Sequence, residues 1–262
     1  YMSFPVCVSA KILNKKIFLF EPNMVIGRSN RLCLKFCDKI ICYSKNLINF
    51  PEEHKHKIFV TKSLLREKIY KQRKNLEKKI NKSFKILIIG GSQGAEFFEN
   101  ELSELMIKLS ENCKISLIQQ ITNENKKNIL KEKYKKYGIE NELFSFDEEI
   151  LQKYHQLDFA ITRSGASTIS ELIFLNVPFL TIPLPGSKDN HQFYNAKDYY
   201  DNNLCWLLNQ SEYKRDTIEK FILNLIQNPN ICIEKKNNMN KISYQNTWNN
   251  INKKLINLIN EN

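Results

Sequence analysis

Long apolar runs are missing from this sequence: no stretch approaches the roughly 18 residues of a membrane-spanning helix, and no secretory leader opens it. The expectation is a soluble or membrane-peripheral protein. Cys-x-x-Cys pairs are also missing. The seven cysteines, Cys7, Cys33, Cys37, Cys42, Cys113, Cys205 and Cys232, are odd in number and scattered. That pattern argues against a disulfide framework or a zinc ribbon and reads as reduced thiols packed as small hydrophobes. Glycine is scarce, seven in 262 residues, so each glycine at a turn carries weight. There is no P-loop lysine signature, no Gly-x-Ser-x-Gly elbow and no carboxylate–histidine cluster at metal spacing, so neither a metal nor a cofactor is expected. The net charge is +12, but no RNA-binding aromatic signature accompanies it. Nucleic acid is therefore not the expected partner, and an anionic substrate or an anionic membrane surface is.

What is present is an alternation. Phe84 to Ala95 reads FKILIIGGSQGA, an apolar strand running into a glycine turn. Phe97, Phe98, Leu102, Leu105, Met106 and Leu109 follow at helical spacing. The βα pattern then repeats: strands at 85–89, 115–119, 143–146, 158–162, 178–182 and 204–208, helices at 96–110, 123–137, 148–156, 166–175 and 190–202. Such alternation predicts a parallel, doubly wound sheet. Ahead of it, a helix at Ser3–Leu13, strands at Lys16–Phe20, Lys39–Tyr43 and Lys57–Val60, and a short helix at Ser29–Phe36 read as the later part of another α/β domain. The domain expectation is 1–62 for that part, 63–83 for a basic connection, 84–243 for the second domain, and a closing helix at 244–262 packing back on the first. Thr61 to Lys82 holds nine Lys/Arg against two Glu. It is either a solvated helix face or a patch resting on anionic lipid.

Three stretches carry chemistry, each at the carboxyl end of an expected strand, where ligands of such sheets sit. The first is the Gly90-Gly91-Ser92 turn, whose backbone N–H groups suit a phosphate. The second is Asp158 to Glu171, DFAITRSGASTISE, in which small residues open a helix and Glu171 lies one turn in, placed to accept two ribose hydroxyls. Ser164 as an N-cap and Glu171 as a dipole partner are the plainer alternatives. The third is Pro183 to Ala196, PLPGSKDNHQFYNA, where Gln192 and Asn195 share a helix face and suit sugar hydroxyls. His191 has no catalytic partner in sequence and reads as a loop-to-helix junction residue. A nucleotide diphosphate joined to a polar group, such as a nucleotide sugar, fits these three together.

In this order and spacing, GGSQGA, RSGASTISE and KDNHQFYNA resemble the MurG family of glycosyltransferases. Tyr1-Met2-Ser3-Phe4-Pro5 resembles the end of that family's second glycine loop, and Phe20-Glu21-Pro22-Asn23 its His-Glu-Gln-Asn turn. The resemblance implies a GT-B fold: α/β, two Rossmann-like doubly wound parallel-sheet domains facing a cleft, the N-terminal one incomplete here. It implies inverting transfer of GlcNAc from UDP-GlcNAc to the MurNAc 4-hydroxyl of undecaprenyl-pyrophosphoryl-MurNAc-pentapeptide (lipid I to lipid II), on the cytoplasmic face of the bacterial inner membrane. By position it implies Ser92 on a donor phosphate and Asp147, after Phe146, meeting uracil through its backbone. Ala166, Ser167, Thr168, Ile169, Ser170 and Glu171 would line the donor site, with Glu171 on the ribose. Gln192 and Asn195 would lie on GlcNAc hydroxyls, Arg66 on the nucleotide side, and Asn23 near donor and acceptor.

The match has departures. Lys62-Ser63-Leu64-Leu65 lacks the family's Gly and Pro before Arg66; Phe20 and Pro22 replace a histidine and a glutamine; Glu99 replaces an asparagine; His191 stands where a glutamine often sits. The family's first glycine loop, carrying the histidine proposed as general base, is expected upstream of Tyr1. Two alternatives remain open at this point: another GT-B transferase making glycolipids from a UDP-sugar, and a non-catalytic UDP-sugar-binding subunit that needs a partner for the missing segment.

Overall fold

The computed structural model describes residues 3–72, 83–91, 95–147, 149–243 and 246–260. The first half holds α1 (Ser3–Ile12), β1 (Phe18–Glu21), α2 (Arg28–Cys33), β2 (Lys39–Cys42) and β3 (Ile58–Val60). Its sheet is parallel in the order β1-β2-β3, with Phe18 opposite Lys39 and Ile40 opposite Ile58. Cys7, Leu19, Ile26, Cys33, Leu34, Ile40 and Cys42 pack as one apolar cluster against it. Cys7, Cys33, Cys37 and Cys42 take part in no disulfide. Burial pushes the Cys42 thiol up to about 12, so it behaves as a small hydrophobe.

The second half holds β4 (Phe84–Ile89), α4 (Ala95–Ser110), β5 (Ile115–Gln120), α5 (Glu124–Lys136), β6 (Glu140–Phe144), β7 (Phe159–Thr162), α6 (Ala166–Phe174), β8 (Phe179–Thr181), α7 (His191–Asp201), β9 (Trp206–Leu207), α8 (Arg215–Gln227), α9 (Asn230–Ser243) and α10 (Trp248–Asn260). Its six strands are all parallel in the order β6-β5-β4-β7-β8-β9. Counted from β4 this is the doubly wound order in which the chain reverses direction across the sheet between β4 and β7. The central strands β4, β7 and β8 are mostly apolar because both faces are covered. Ile86 and Ile88 point into a core with Phe98, Leu102 and Ile222. Leu87, between them, points into the opposite core with Ile118, Ala160, Ile169, Leu172 and Phe179. Each such fully buried side chain contributes about 1.5–3 kcal/mol.

Three expectations shift. The strand expected at 143–146 runs over Glu140–Phe144 instead, because Gly138 at φ +67° ends α5 and Ile139 is already buried. Glu140 and Glu142 hid it: it is an edge strand with one solvated side. The helix expected at 148–156 is a 3₁₀ segment, Ile150–Gln156. The basic connection, read as a solvated helix face or a patch resting on anionic lipid, also carries core residues. Leu65, Ile69 and Tyr70, around α3 (Glu67–Gln72), are buried in the second half's core. The Tyr70 ring meets Phe174 and Trp248 edge-on, and its hydroxyl donates to the Ser63 carbonyl. Residues 73–82 of the connection lie outside the described residues.

Candidate active site: a cleft at the strand ends

The loops after β4 and β7 meet where the sheet reverses direction. Gly91 adopts φ +67°, a conformation that costs glycine nothing, and its N–H donates to Gln120 Oε1 at 2.9 Å. Gln120 in turn donates to the Ser145 carbonyl, so the glycine turn is tied to the loop after β6. Ser92, expected on a donor phosphate, lies outside the described residues.

Across the reversal, the loop Arg163-Ser164-Gly165 launches α6. Arg163 is buried, donates from Nη1 to the Ile182 and Pro183 carbonyls at 3.1 Å each, and stacks 4.6 Å from the Phe98 ring centroid. Burial draws its guanidinium down to about 10. It braces the β8 loop against α4. Arg163 is not among the residues expected at the site. Its signal was there: an arginine just after a buried, mostly apolar strand must find acceptors. The Ser164 hydroxyl shares a 2.7 Å hydrogen bond with that of Thr181, which fixes the neighbouring loop.

At the start of α6, Ala166 and Thr168 are half-buried and Ser167 is exposed. The first N–H groups of a helix lack intrahelical acceptors, and this end carries the positive pole. Ile169 sits in the core with its N–H donating to the Gly165 carbonyl, and Ser170 is buried beside it. Glu171 is 9% exposed and accepts 3.1 Å from Nη2 of Arg66, which is 58% exposed. Desolvation raises the Glu171 carboxyl above its ordinary range, and Arg66 partly offsets this. The structure thus brings together two residues 105 positions apart, both expected at the nucleotide.

The third stretch closes the cleft. Asp189 and Asn190 adopt left-handed conformations (φ 53° and 55°) and turn the chain into α7. Gln192 accepts through Oε1 from the Ser164 and Leu184 N–H groups, at 3.3 and 3.0 Å. His191 holds the Lys188 carbonyl through Nδ1 at 2.8 Å, which suits a junction residue. Asn195, 2% exposed, meets the first half: Oδ1 accepts from the Met24 N–H at 2.8 Å and Nδ2 donates to Asn23 Oδ1 at 3.0 Å. Arg28 faces Asp189 at 3.5 Å nearby, on the rim of a pocket of about 280 Å³ between the two halves. Asp147 stands apart at the β6 end, its carboxylate held by Lys153 and the Glu149 N–H, which keeps it below the usual range. Phe146 beside it is exposed.

Residues 85–254 match the model of the glycosyltransferase family 28 C-terminal domain. Over 262 residues the chain is 46% identical to the Pelagibacter ubique (strain HTCC1062) UDP-N-acetylglucosamine--N-acetylmuramyl-(pentapeptide) pyrophosphoryl-undecaprenol N-acetylglucosamine transferase, covering 100% of this chain and 73% of that protein. The chain belongs to the MurG transferase family. The Rickettsia felis (strain ATCC VR-1525 / URRWXCal2) member is 33% identical over 242 residues, 89% of this chain and 67% of its own length. Among solved structures, Acinetobacter baumannii MurG superposes with a TM-score of 0.75 at 22% identity, over 99% of this chain and 71% of that one. The UDP-GlcNAc 2-epimerase of Neisseria meningitidis, bound to UDP-GlcNAc, shares the fold at a TM-score of 0.67 and 13% identity, covering 98% and 73%. As a MurG member the chain is a UDP-sugar glycosyltransferase of the GT-B fold.

Proposed function

We propose that the cleft binds UDP-GlcNAc and that the chain transfers GlcNAc, with inversion, to the MurNAc 4-hydroxyl of the lipid-linked pentapeptide acceptor. The observation that carries this reading is the convergence at the β4/β7 reversal. The glycine turn, the open end of α6 and the Arg66–Glu171 pair lie there on one family-matched scaffold. In this reading the Gly90-Gly91-Ser92 turn and the α6 end hold the diphosphate. Glu171 accepts the ribose hydroxyls, and the backbone around Asp147 meets uracil. Gln192 commits its oxygen inward and offers Nε2 to the sugar. As UDP leaves, charge grows on the β-phosphate, and fixed N–H groups together with Arg66 offset it. Among the described residues no group of three or more His, Cys, Asp or Glu is arranged to hold a metal ion.

The division into an acceptor-side part and a donor domain, with 63–83 between them, belongs to the same proposal. So does a peripheral place on the cytoplasmic face of the inner membrane. Among the described residues no helix is long and apolar enough to cross a membrane. Val6, Ile12, Leu13 and Leu32, on and around α1 and α2, are exposed beside Lys11, Lys15, Lys16 and Arg31, a surface suited to anionic lipid. Co-sedimentation with vesicles should rise with anionic lipid content, and indifference to lipid charge would remove this part. The main test is calorimetric titration of the chain with UDP-GlcNAc, UDP-glucose and ADP-glucose. Selective binding of UDP-GlcNAc is expected. A folded chain that binds none of the three would overturn the donor assignment.

A further inference from the structure

Two adjacent glutamines end β5 and point to opposite faces of the sheet. Gln119 is fully buried and belongs to the core: its amide donates to the Phe98 carbonyl and the Ser103 hydroxyl and accepts from the Tyr134 hydroxyl. Gln120 is half-buried and bridges two loops instead. In the order β6-β5-β4-β7-β8-β9, β5 lies between the strand that feeds the glycine turn and the strand that feeds the loop around Asp147. Gln120 is its last residue and stands opposite Phe144, the last of β6. A side chain at that point can reach both neighbouring loops, and it does. Oε1 accepts from the Gly91 N–H at 2.9 Å, and Nε2 donates to the Ser145 carbonyl at 3.3 Å. The amide has one orientation only. A backbone N–H can only donate and a backbone carbonyl can only accept, so Gly91 fixes the oxygen end and Ser145 the nitrogen end. Ser145 is held from its other side as well, its hydroxyl donating to Glu124 Oε1 at 2.7 Å, and it lies two residues before Asp147.

We infer that Gln120 is a positioning residue that couples the two ends of the nucleotide site. It sets the spacing between the glycine turn, assigned to the diphosphate, and the loop assigned to uracil, and it acts through Gly91 and Ser145. The inference rests on the donor reading above and deepens it, since it names what makes two separate loops behave as one site. A nucleotide whose base and diphosphate are covalently joined must be met by both loops at one spacing. When that spacing is set beforehand, the second contact forms as an intramolecular step at high effective concentration. When the loops move independently, part of that advantage goes into ordering them. Uridine or pyrophosphate alone, each meeting one loop, makes no such demand. A tie of this kind also links the two loops in the absence of the whole nucleotide: a ligand that steadies one steadies the other.

The test is calorimetric titration of wild-type protein and two variants with uridine, pyrophosphate and UDP. Gln120→Met keeps the length of the side chain and loses both hydrogen bonds. Gln120→Asn keeps the amide but is one methylene too short to span both loops. In both variants UDP affinity should fall on the order of 10-fold, while uridine and pyrophosphate each stay within about twofold of wild type. A side chain that touched the donor directly would lower the matching fragment as much as UDP. Two results would therefore overturn the inference: wild-type UDP affinity in Gln120→Met, or a loss for uridine or pyrophosphate equal to the loss for UDP. Amide hydrogen exchange followed by NMR gives a readout on the wild-type protein, which decides the matter if neither variant folds. Saturating uridine should slow exchange of the Gly91 amide, although uridine carries no phosphate for the glycine turn; an unchanged Gly91 rate would remove the coupling. Wild-type protein that binds no UDP would instead defeat the donor reading itself, a distinguishable failure.

Discussion

Two buried carboxylates, one in each half of the molecule, are treated in opposite ways. Glu21, at the end of β1, is 2% exposed and accepts four hydrogen bonds, from the N–H groups of Asn23 and Gly27 and the amides of Asn23 and Asn30. None of these donors is a cation; the turn folds itself around the charge. Gly27 is held so close that a Cβ there would stand 3.1 Å from Glu21 Oε2. Glu171, on α6, is nearly as buried but has one arginine nitrogen, contributed by the connection between the halves. A carboxylate surrounded by fixed donors is part of the fold. A carboxylate kept in a poorly solvated site by one exposed arginine can change partners, and the proposed ribose gives it partners to change to.

Substitution should separate the two. Glu21→Ala strands several donors at once, and urea unfolding of the chain should show a loss of about 2–3 kcal/mol. A loss below about 1 kcal/mol would mean the turn does not depend on its carboxylate. Glu171→Ala should leave stability unchanged or raise it by about 1 kcal/mol, because a charge that is costly to bury is removed. Its effect belongs to binding: titration should show UDP-GlcNAc affinity down roughly 10- to 100-fold, the worth of hydrogen bonds to a charged group. The pH dependence follows from the raised Glu171 carboxyl. Between the ordinary carboxylate value and the raised one, the folded chain binds more protons at this site than the unfolded chain. This group's contribution to stability therefore falls as pH rises through that window. Donor affinity runs the other way. Ionised Glu171 accepts the hydroxyls, so affinity falls as pH drops through the raised value, and Glu171→Gln should abolish that acidic limb.

The same contrast explains what could be read from the sequence. The second half's sheet was legible because strands covered on both faces are mostly apolar, as in Ile86–Ile89 and Phe159–Ile161. The site loops were legible because glycines are few and fall at strand ends. Glu171 could be found from its place one turn into a helix with a small-residue start. Glu21 could be located but not understood, because its four donors come from a non-repetitive turn whose path no periodicity encodes. Asn195 was placed on the right helix face, yet its partners are 171 and 172 residues away, and sequence spacing within α7 says nothing about which half that face meets. The core residues of the connection were hidden by their neighbours: Leu65, Ile69 and Tyr70 sit among Arg66, Glu67, Lys68 and Lys71.

The smallest expected effect is the most informative about the comparison. Arg66→Gln removes the cation that, among the described residues, pairs with Glu171. Because Arg66 is more than half exposed, the pair contributes little to folding, and stability should change by less than about 0.5 kcal/mol. The proton balance of Glu171 should change more. Desolvation raises its carboxyl and Arg66 lowers it, by charge and by hydrogen bond. Without the arginine only the raising influence remains, so the acidic limb of UDP-GlcNAc binding should move to higher pH. Affinity at neutral pH should fall by about threefold to tenfold, consistent with the loss of one charge-assisted contact to the nucleotide. The same variant titrated with uridine, which has no phosphates, divides the two roles. If Arg66 acts only by tuning Glu171, uridine and UDP-GlcNAc lose equally; if it also meets the diphosphate, UDP-GlcNAc loses more. An unmoved acidic limb would show that Glu171, like Glu21, is held by its own half of the molecule, and the distinction between the two carboxylates would fall.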